Sequence, residues 1–196
     1  VSYGRVGGDD FENSSYGLRG GDVYRKARNL SFFNNIFEIK GDVVIDFIEH
    51  RGKYQKRPDF VPYMFVGLAY FHHNPKTRAD LGEGEQVYNL RDFSTEGQGL
   101  LEGAPNKYSL HQIALPIGLG IRYKLSTQWD LAFEMGWRFT TTDYIDDAGG
   151  YFPDKAALYA AAGGGERGLT SVLLSDRSWE LVGDPNIISP AYNVVL

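Results

Sequence analysis

The chain has 196 residues, a formal net charge of −5 and no cysteine, which excludes a disulfide framework, a thiolate metal site and a cysteine nucleophile. The acidic balance leaves no basic stripe to neutralise phosphates, so no nucleic-acid partner is expected. At 42% hydrophobic and 14% aromatic the chain is too apolar to be disordered, yet no run nears the ~18–20 apolar residues of a membrane helix; a membrane β-barrel stays open, because its strands alternate and average to modest hydropathy.

In chain order, Val1 opens straight into VSYGRV, which reads as strand. A long segment, Gly7 to Asn35, follows. From Phe37 the odd positions Phe37, Ile39, Gly41, Val43, Ile45 and Phe47 are mostly apolar, while Glu38, Lys40, Asp42 and Asp46 occupy the other side. That alternation is the strand period. A short basic link, HRGKYQKRPD, leads to Val61–His72, which is apolar on both sides, so its register stays open. The stretch from Asn74 to Ser109 is long and polar. From His111 the odd side carries Ile113, Leu115, Ile117, Leu119, Ile121, Tyr123 and Leu125. Ser126, Thr127 and Gln128 form a tight turn. From Trp129 the odd side is Trp129, Leu131, Phe133, Met135, Trp137 and Phe139, opposite Asp130, Ala132, Glu134, Gly136 and Arg138. In the last long link, Pro153-Asp154-Lys155 and Gly163 to Gly165 punctuate a short helix between them. AYNVVL at the end again reads as strand. The record is expected to be incomplete at both ends, and the chain is read as one domain over residues 1–196.

Long and short links alternate, which gathers the long ones at one end of the sheet. The strands from Leu110 and Trp129 are long enough for the ~9–11 residues of a tilted membrane strand. The expected fold is therefore all-β: an antiparallel transmembrane up-and-down barrel with long extracellular loops and short periplasmic turns. Tyr123 and Trp129 would supply one aromatic girdle, and Trp137, Phe139 and Phe71 the other. A soluble lipocalin-like barrel is disfavoured because two Trp, two Phe, Leu and Met from one strand would crowd a small lumen.

Candidate chemistry is sparse. His72 and His73 are adjacent and point to opposite faces, so they suit no common metal. No nucleophile elbow frames a serine, and Ser109 with His111 makes no evident relay. The runs Gly8-Asp9-Asp10 and Thr142-Asp143-Tyr144-Ile145-Asp146-Asp147 could gather carboxylates around calcium, but without EF-hand spacing they read first as loop caps. No catalytic residue, cofactor or metal is expected. Arg51, Lys53, Tyr54, Lys56 and Arg57 form the one basic cluster. It reads either as a solvated turn or as a docking surface for an acidic partner.

Several runs in order carry a resemblance: Gly8-Asp9-Asp10; Arg28-Asn29-Leu30-Ser31-Phe32; Pro62-Tyr63-Met64-Phe65-Val66-Gly67 on to Phe71 and Asn74-Pro75-Lys76; Thr95-Glu96-Gly97-Gln98-Gly99; and Thr142 to Asp147. Over roughly Val1 to Arg177 the chain resembles PorG-type outer-membrane barrels of the type IX (Por) secretion system. Trp179 to Leu196 does not align, and the family's last barrel strand is not evident. The resemblance implies a non-enzymatic outer-membrane component, a barrel of about eight strands, linked to gliding motility and protein secretion. It would tether a periplasmic ring of PorK-type lipoprotein and PorN-type protein, alongside other type IX components and outer-membrane lipid. On this view the Arg51–Arg57 turn meets the ring. The alternative is a small porin-like or ligand-binding outer-membrane barrel with no secretion role.

Overall fold

Period-two alternation becomes an antiparallel β-structure in the computed structural model, which describes residues 1–13, 28–49, 52, 54–150 and 152–182. Its strands are β1 (Ser2–Asp9), β2 (Ser31–Asp46), β3 (Phe60–His72), β4 (Pro75–Asp80), β5 (Glu85–Asn89), β6 (His111–Lys124) and β7 (Asp130–Thr140). Its helices are α1 (Asp10–Asn13), α2 (Leu90–Phe93), α3 (Lys155–Ala161), α4 (Gly165–Ser175) and α5 (Trp179–Val182). Among the described residues no helix is long and apolar enough to cross a membrane. The chain divides into two compact units, each drawn from separated stretches: Val1–Ser2, Phe37–His72 and His111–Thr141 in the first, Tyr3–Ile36, His73–Leu110 and Thr142–Leu196 in the second.

In the first unit the strand order is β2-β3-β6-β7, all antiparallel. The register Val43↔Val66, Val66↔Ile117 and Ile117↔Trp137 places the apolar positions of all four strands on one face. The other face aligns Asp46↔Tyr63, Tyr63↔Gly120 and Gly120↔Glu134. This pairing fixes β3, whose sequence left its register open: Tyr63, Phe65, Ala69 and Phe71 are buried, whereas Leu68 and Tyr70 are exposed.

The buried face is concave. β2 and β7 are separated by β3 and β6, roughly 14 Å on a flat sheet at ~4.8 Å per strand. Yet Arg138 Nε on β7 donates to Glu38 Oε2 on β2 at 3.0 Å. Tyr63 OH likewise reaches across β6 to Glu134 Oε1 at 2.8 Å. The sheet curls as a half-barrel wall, with paired charges and aromatic rings inside and the large apolar side chains outside.

The second unit is built differently. Residues 31–36 of β2 pair with β4, and β4 with β5. Pro75, Thr77 and Ala79 face inward in turn. Asp80 Oδ1 accepts from the Gly82 and Gly84 N–H groups at 2.9 Å in the connecting turn. Ala79, Leu90 and Leu174 form one core with Phe32, Leu81, Tyr88 and Phe93 around them. Leu158 and Val172 form another with Leu101 and Tyr159. The helix expected after Pro153 is α3, and Asp154 Oδ1 caps it by accepting from Ala157 N at 2.8 Å.

Three expectations change. The link read as Gly7–Asn35 is shorter, because β1 runs to Asp9 and β2 starts at Ser31. The link read as Asn74–Ser109 contains a β-hairpin and α2. The link after Thr140 carries α4, whose start coincides with the glycines that end α3. The strand expected at AYNVVL lies outside the described residues.

Candidate functional site

In the first unit the largest surface feature is the convex face of the sheet. Leu131, Phe133, Met135, Trp137 and Phe139 on β7 are each more than half exposed, as are Leu68 on β3, Leu119 on β6 and Val43 on β2. Large apolar patches on water-facing surfaces mark interaction sites or membrane contact. Near the β6–β7 turn this face ends in Tyr123 and Trp129, both exposed.

The same turn bears on the basic cluster. Arg51 and Lys53 lie outside the described residues. Tyr54 and Lys56 sit in one turn of 3-10 helix and are exposed. Arg57 is turned inward and only 7% exposed. Its Nε and Nη2 donate to Asp130 Oδ1 at 3.0 and 2.7 Å. Its Nη1 donates to the carbonyls of Tyr54 and Thr127, each at 3.1 Å, and Nη2 to that of Ser126 at 2.9 Å. The guanidinium also lies 4.1 Å from the Tyr54 ring centroid. Hydrogen bonds to the Asp130 carboxylate hold its pKa above the ordinary arginine value. Lys124 Nζ adds a bond to the Gln55 carbonyl at 3.2 Å. Arg57 therefore ties the β2–β3 link to the β6–β7 turn, while Tyr54 and Lys56 present themselves outward. Replacing Arg57 with alanine is expected to open the link to protease several-fold faster without dispersing the sheet. Lysine should not rescue it, because one ammonium cannot span a carboxylate and three carbonyls. Limited proteolysis with mapping of the first cut checks this.

The second unit holds a buried polar cluster. Asp147, 4% exposed, accepts from Thr95 Oγ1 and from Tyr108 OH. Tyr108 is stacked between His73 at 5.9 Å and Tyr144 at 4.9 Å, centroid to centroid. His73 Nδ1 faces Asn34 Nδ2 at 3.4 Å, and its Nε2 faces the Ser109 carbonyl at 3.2 Å. Asn34 also donates to the Ile145 carbonyl at 2.7 Å and accepts from Asn74 N at 2.8 Å. Glu96 accepts from the Gly149 and Gly150 N–H groups at 3.0 Å. Burial pushes the Asp147 carboxyl up to about 7 and the Tyr144 hydroxyl to about 12, and it raises the Tyr108 hydroxyl further.

Two sequence runs quoted separately, Thr95 to Gly99 and Thr142 to Asp147, thus meet through Thr95 and Asp147. The acidic runs act as caps. Asp9 Oδ1 accepts from Phe11 N and Glu12 N at 2.8 and 3.0 Å, and Asp146 Oδ1 from Ala148 N at 3.2 Å. Asp10 pairs with Arg28 at 2.8 Å. Arg177 binds Ser31 Oγ, Thr77 Oγ1 and Glu180. A cavity of about 180 Å³ lies among these groups; Arg28 pairs with Asp10 within its lining, and its other carboxylates accept from N–H or O–H groups. Among the described residues no three His, Asp or Glu side chains converge as a metal site would require. The His72 and His111 rings lie 4.8 Å apart, tilted by 56°.

Sequence reading missed Asn34, His73, Tyr108 and Asp130 as organising residues. The only available hint was Asn34 interrupting an aromatic run. No protein-family model, curated protein or solved structure matches the chain.

Proposed function

We propose that this chain is an integral outer-membrane β-barrel protein of about eight strands, with short links in the periplasm and long, folded links outside. In this role it anchors the periplasmic PorK/PorN-type ring of the type IX secretion system and has no enzymatic activity. The observation that carries the membrane reading is the convex apolar face running across four strands. Each large apolar side chain there would gain about 1.5–3 kcal/mol on leaving water, and the terminal Tyr123 and Trp129 suit an interface girdle. The anchor reading rests on the resemblance and on the filled concave side. Tyr63 and Phe65 press against Gly118, Gly120 and Gly136 there, which suits a closed barrel rather than a pore.

The test has two steps. After an alkaline carbonate wash the protein should stay with the outer membrane; release into the wash would remove the membrane reading. A photo-crosslinker at Tyr54 in intact cells should then capture the ring lipoprotein, and Lys53→Glu with Lys56→Glu should lower ring co-purification severalfold. Arg57 is kept, since its loss would loosen the turn itself. Unchanged export and ring recovery would remove the docking assignment. Single-channel conductance in a planar bilayer would instead favour the porin-like alternative.

A further inference from the structure

The second unit leaves one sheet edge open. Among the described residues β5 pairs with β4 and with no other strand. Its outer N–H and C=O groups therefore offer a template for a further strand. No proline or lysine guards that edge. The register with β4 runs unbroken from Asp80↔Glu85 to Lys76↔Asn89, so no bulge turns it away. A groove of about 550 Å³ opens beside the edge, lined from both β5 and α4. Gln86 and Tyr88 line it from β5, in register with Ala79 and Thr77, which are buried on the same side. Leu169 and Leu173 line it from α4, and Leu81 and Phe93 complete the apolar lining. The Tyr88 and Phe93 rings meet edge to face at 5.8 Å.

The charge on this groove is acidic. Glu83, from the β4–β5 turn, and Glu166, from the first turn of α4, both line it and are exposed. Among the described residues neither has a cation within ion-pair distance. Arg167, the cation of the described lining, donates from Nη2 to the Asp92 carbonyl at 3.2 Å. Lys76 and Arg78 of the hairpin are on its other face, in register with Asn89 and Val87. Burial raises the Tyr88 hydroxyl above its ordinary value, and the charges of Glu83, Asp80 and Glu166 add to the rise. An added strand would lie ~4.8 Å beyond β5 and turn every second side chain toward the groove. Apolar side chains there meet leucine and ring surface, while lysine or arginine meets Glu83 and Glu166. A second copy of the chain would bring the same carboxylates to the edge, and like charges on adjacent strands repel.

We propose that the β5 edge and its groove bind an extended, lysine- or arginine-bearing segment of another protein by strand addition. The site stands on the second unit alone and requires neither the membrane nor the ring. The test uses the full chain in detergent and a capped heptapeptide, threonine at alternate positions with lysine, leucine and lysine between them. Fluorescence anisotropy of the labelled peptide reads binding, and hydrogen exchange of the Glu85–Asn89 amides reads the place. Wild type should bind saturably and exchange more slowly there. Two analogues carry N-methyl groups at alternate residues, one in each of the two possible registers. One should lose binding and the other keep it, because only every second residue of an added strand bonds to its neighbour. Glu83→Gln/Glu166→Gln should weaken binding about fivefold, the worth of two exposed ion pairs. Glu12→Gln/Glu102→Gln removes two exposed carboxylates elsewhere in this unit and should leave affinity unchanged. No saturable binding, unchanged exchange at Glu85–Asn89, or equal behaviour of the two analogues would overturn strand addition. Equal binding of the peptide with glutamate in place of lysine, or an equal loss in the Glu12/Glu102 control, would overturn the basic partner. Dimers of the chain that the peptide dissolves would give the edge to a second copy instead.

Discussion

Gly120→Ala is expected to lower the stability of the curled sheet by about 1–3 kcal/mol, seen as a lower urea midpoint and a smaller folded fraction in detergent. Gly120 faces the concave side, paired with Tyr63 on one flank and Glu134 on the other. A Cβ there would lie 2.5 Å from Tyr63 Cε2, and its nearest neighbours all belong to that ring. The ring has nowhere to go: Tyr63 is 2% exposed, and its hydroxyl is held by Glu134 at 2.8 Å. Gly118 and Gly136 make the same room for Phe65, whose Cζ would sit 2.5 and 2.8 Å from their added Cβ atoms. Gly41, with nothing within 4 Å of its Cβ position, is the control, and alanine there should be neutral or slightly stabilising. Combining Gly120→Ala with Tyr63→Leu should recover most of the loss, because the offending ring is gone. If Gly120→Ala folds like wild type, Tyr63 does not occupy the concave side. A loss that Tyr63→Leu fails to relieve would place the clash on the backbone instead.

The glycine column also explains what the sequence could and could not convey. β6 and β7 are readable because their outward side chains are large and their inward ones small or charged, so period two stands out. β3 is not, because its inward Tyr63, Phe65 and Phe71 are as apolar as its outward Met64, Leu68 and Tyr70. Only the partner glycines, on other strands, distinguish the two sets. β4 and β5 escaped notice because the buried positions of β4 are Pro75, Thr77 and Ala79, a pattern without hydrophobic contrast, and β5 has no fully buried position. α4 was hidden by three successive glycines, which a sequence reading takes as a stop. Arg57 shows the limit most directly. Nothing local separates it from Lys56, and its partner Asp130 is 73 residues away. Composition could locate the basic turn, but only the tertiary pairing decides which cation is structural. The polar cluster around Asp147 is of the same kind. Its members come from β2, from the His73–Ser109 stretch and from the link after β7, and each looks like an ordinary loop residue on its own.

That cluster yields the strongest pH dependence expected of the second unit. Asp147 has an ordinary carboxyl value of 3.8 and is pushed up to about 7. Burial is the largest cause, with the nearby Glu96 and Asp146 charges adding to it; the hydrogen bonds from Thr95 and Tyr108 pull the other way but do not offset it. A group whose folded value lies above its unfolded one favours the folded state most when protonated. Its contribution is therefore complete below about pH 4 and is lost as pH rises through about 7. The span corresponds to on the order of 4 kcal/mol as an upper bound. Asp147→Asn should remove this dependence and flatten stability between pH 4 and 8. Asparagine is the suitable replacement, because the residue sits at φ 67° in the left-handed region that asparagine tolerates. Its carbonyl can still accept from one of the two hydroxyls. Urea unfolding followed by near-ultraviolet dichroism of the Tyr108–Tyr144 stack measures it. Wild type should lose stability across that range and the variant should not. A wild-type profile that rises from pH 4 to 7 would show that Asp147 is ionised and held by its hydroxyl donors rather than penalised by its burial.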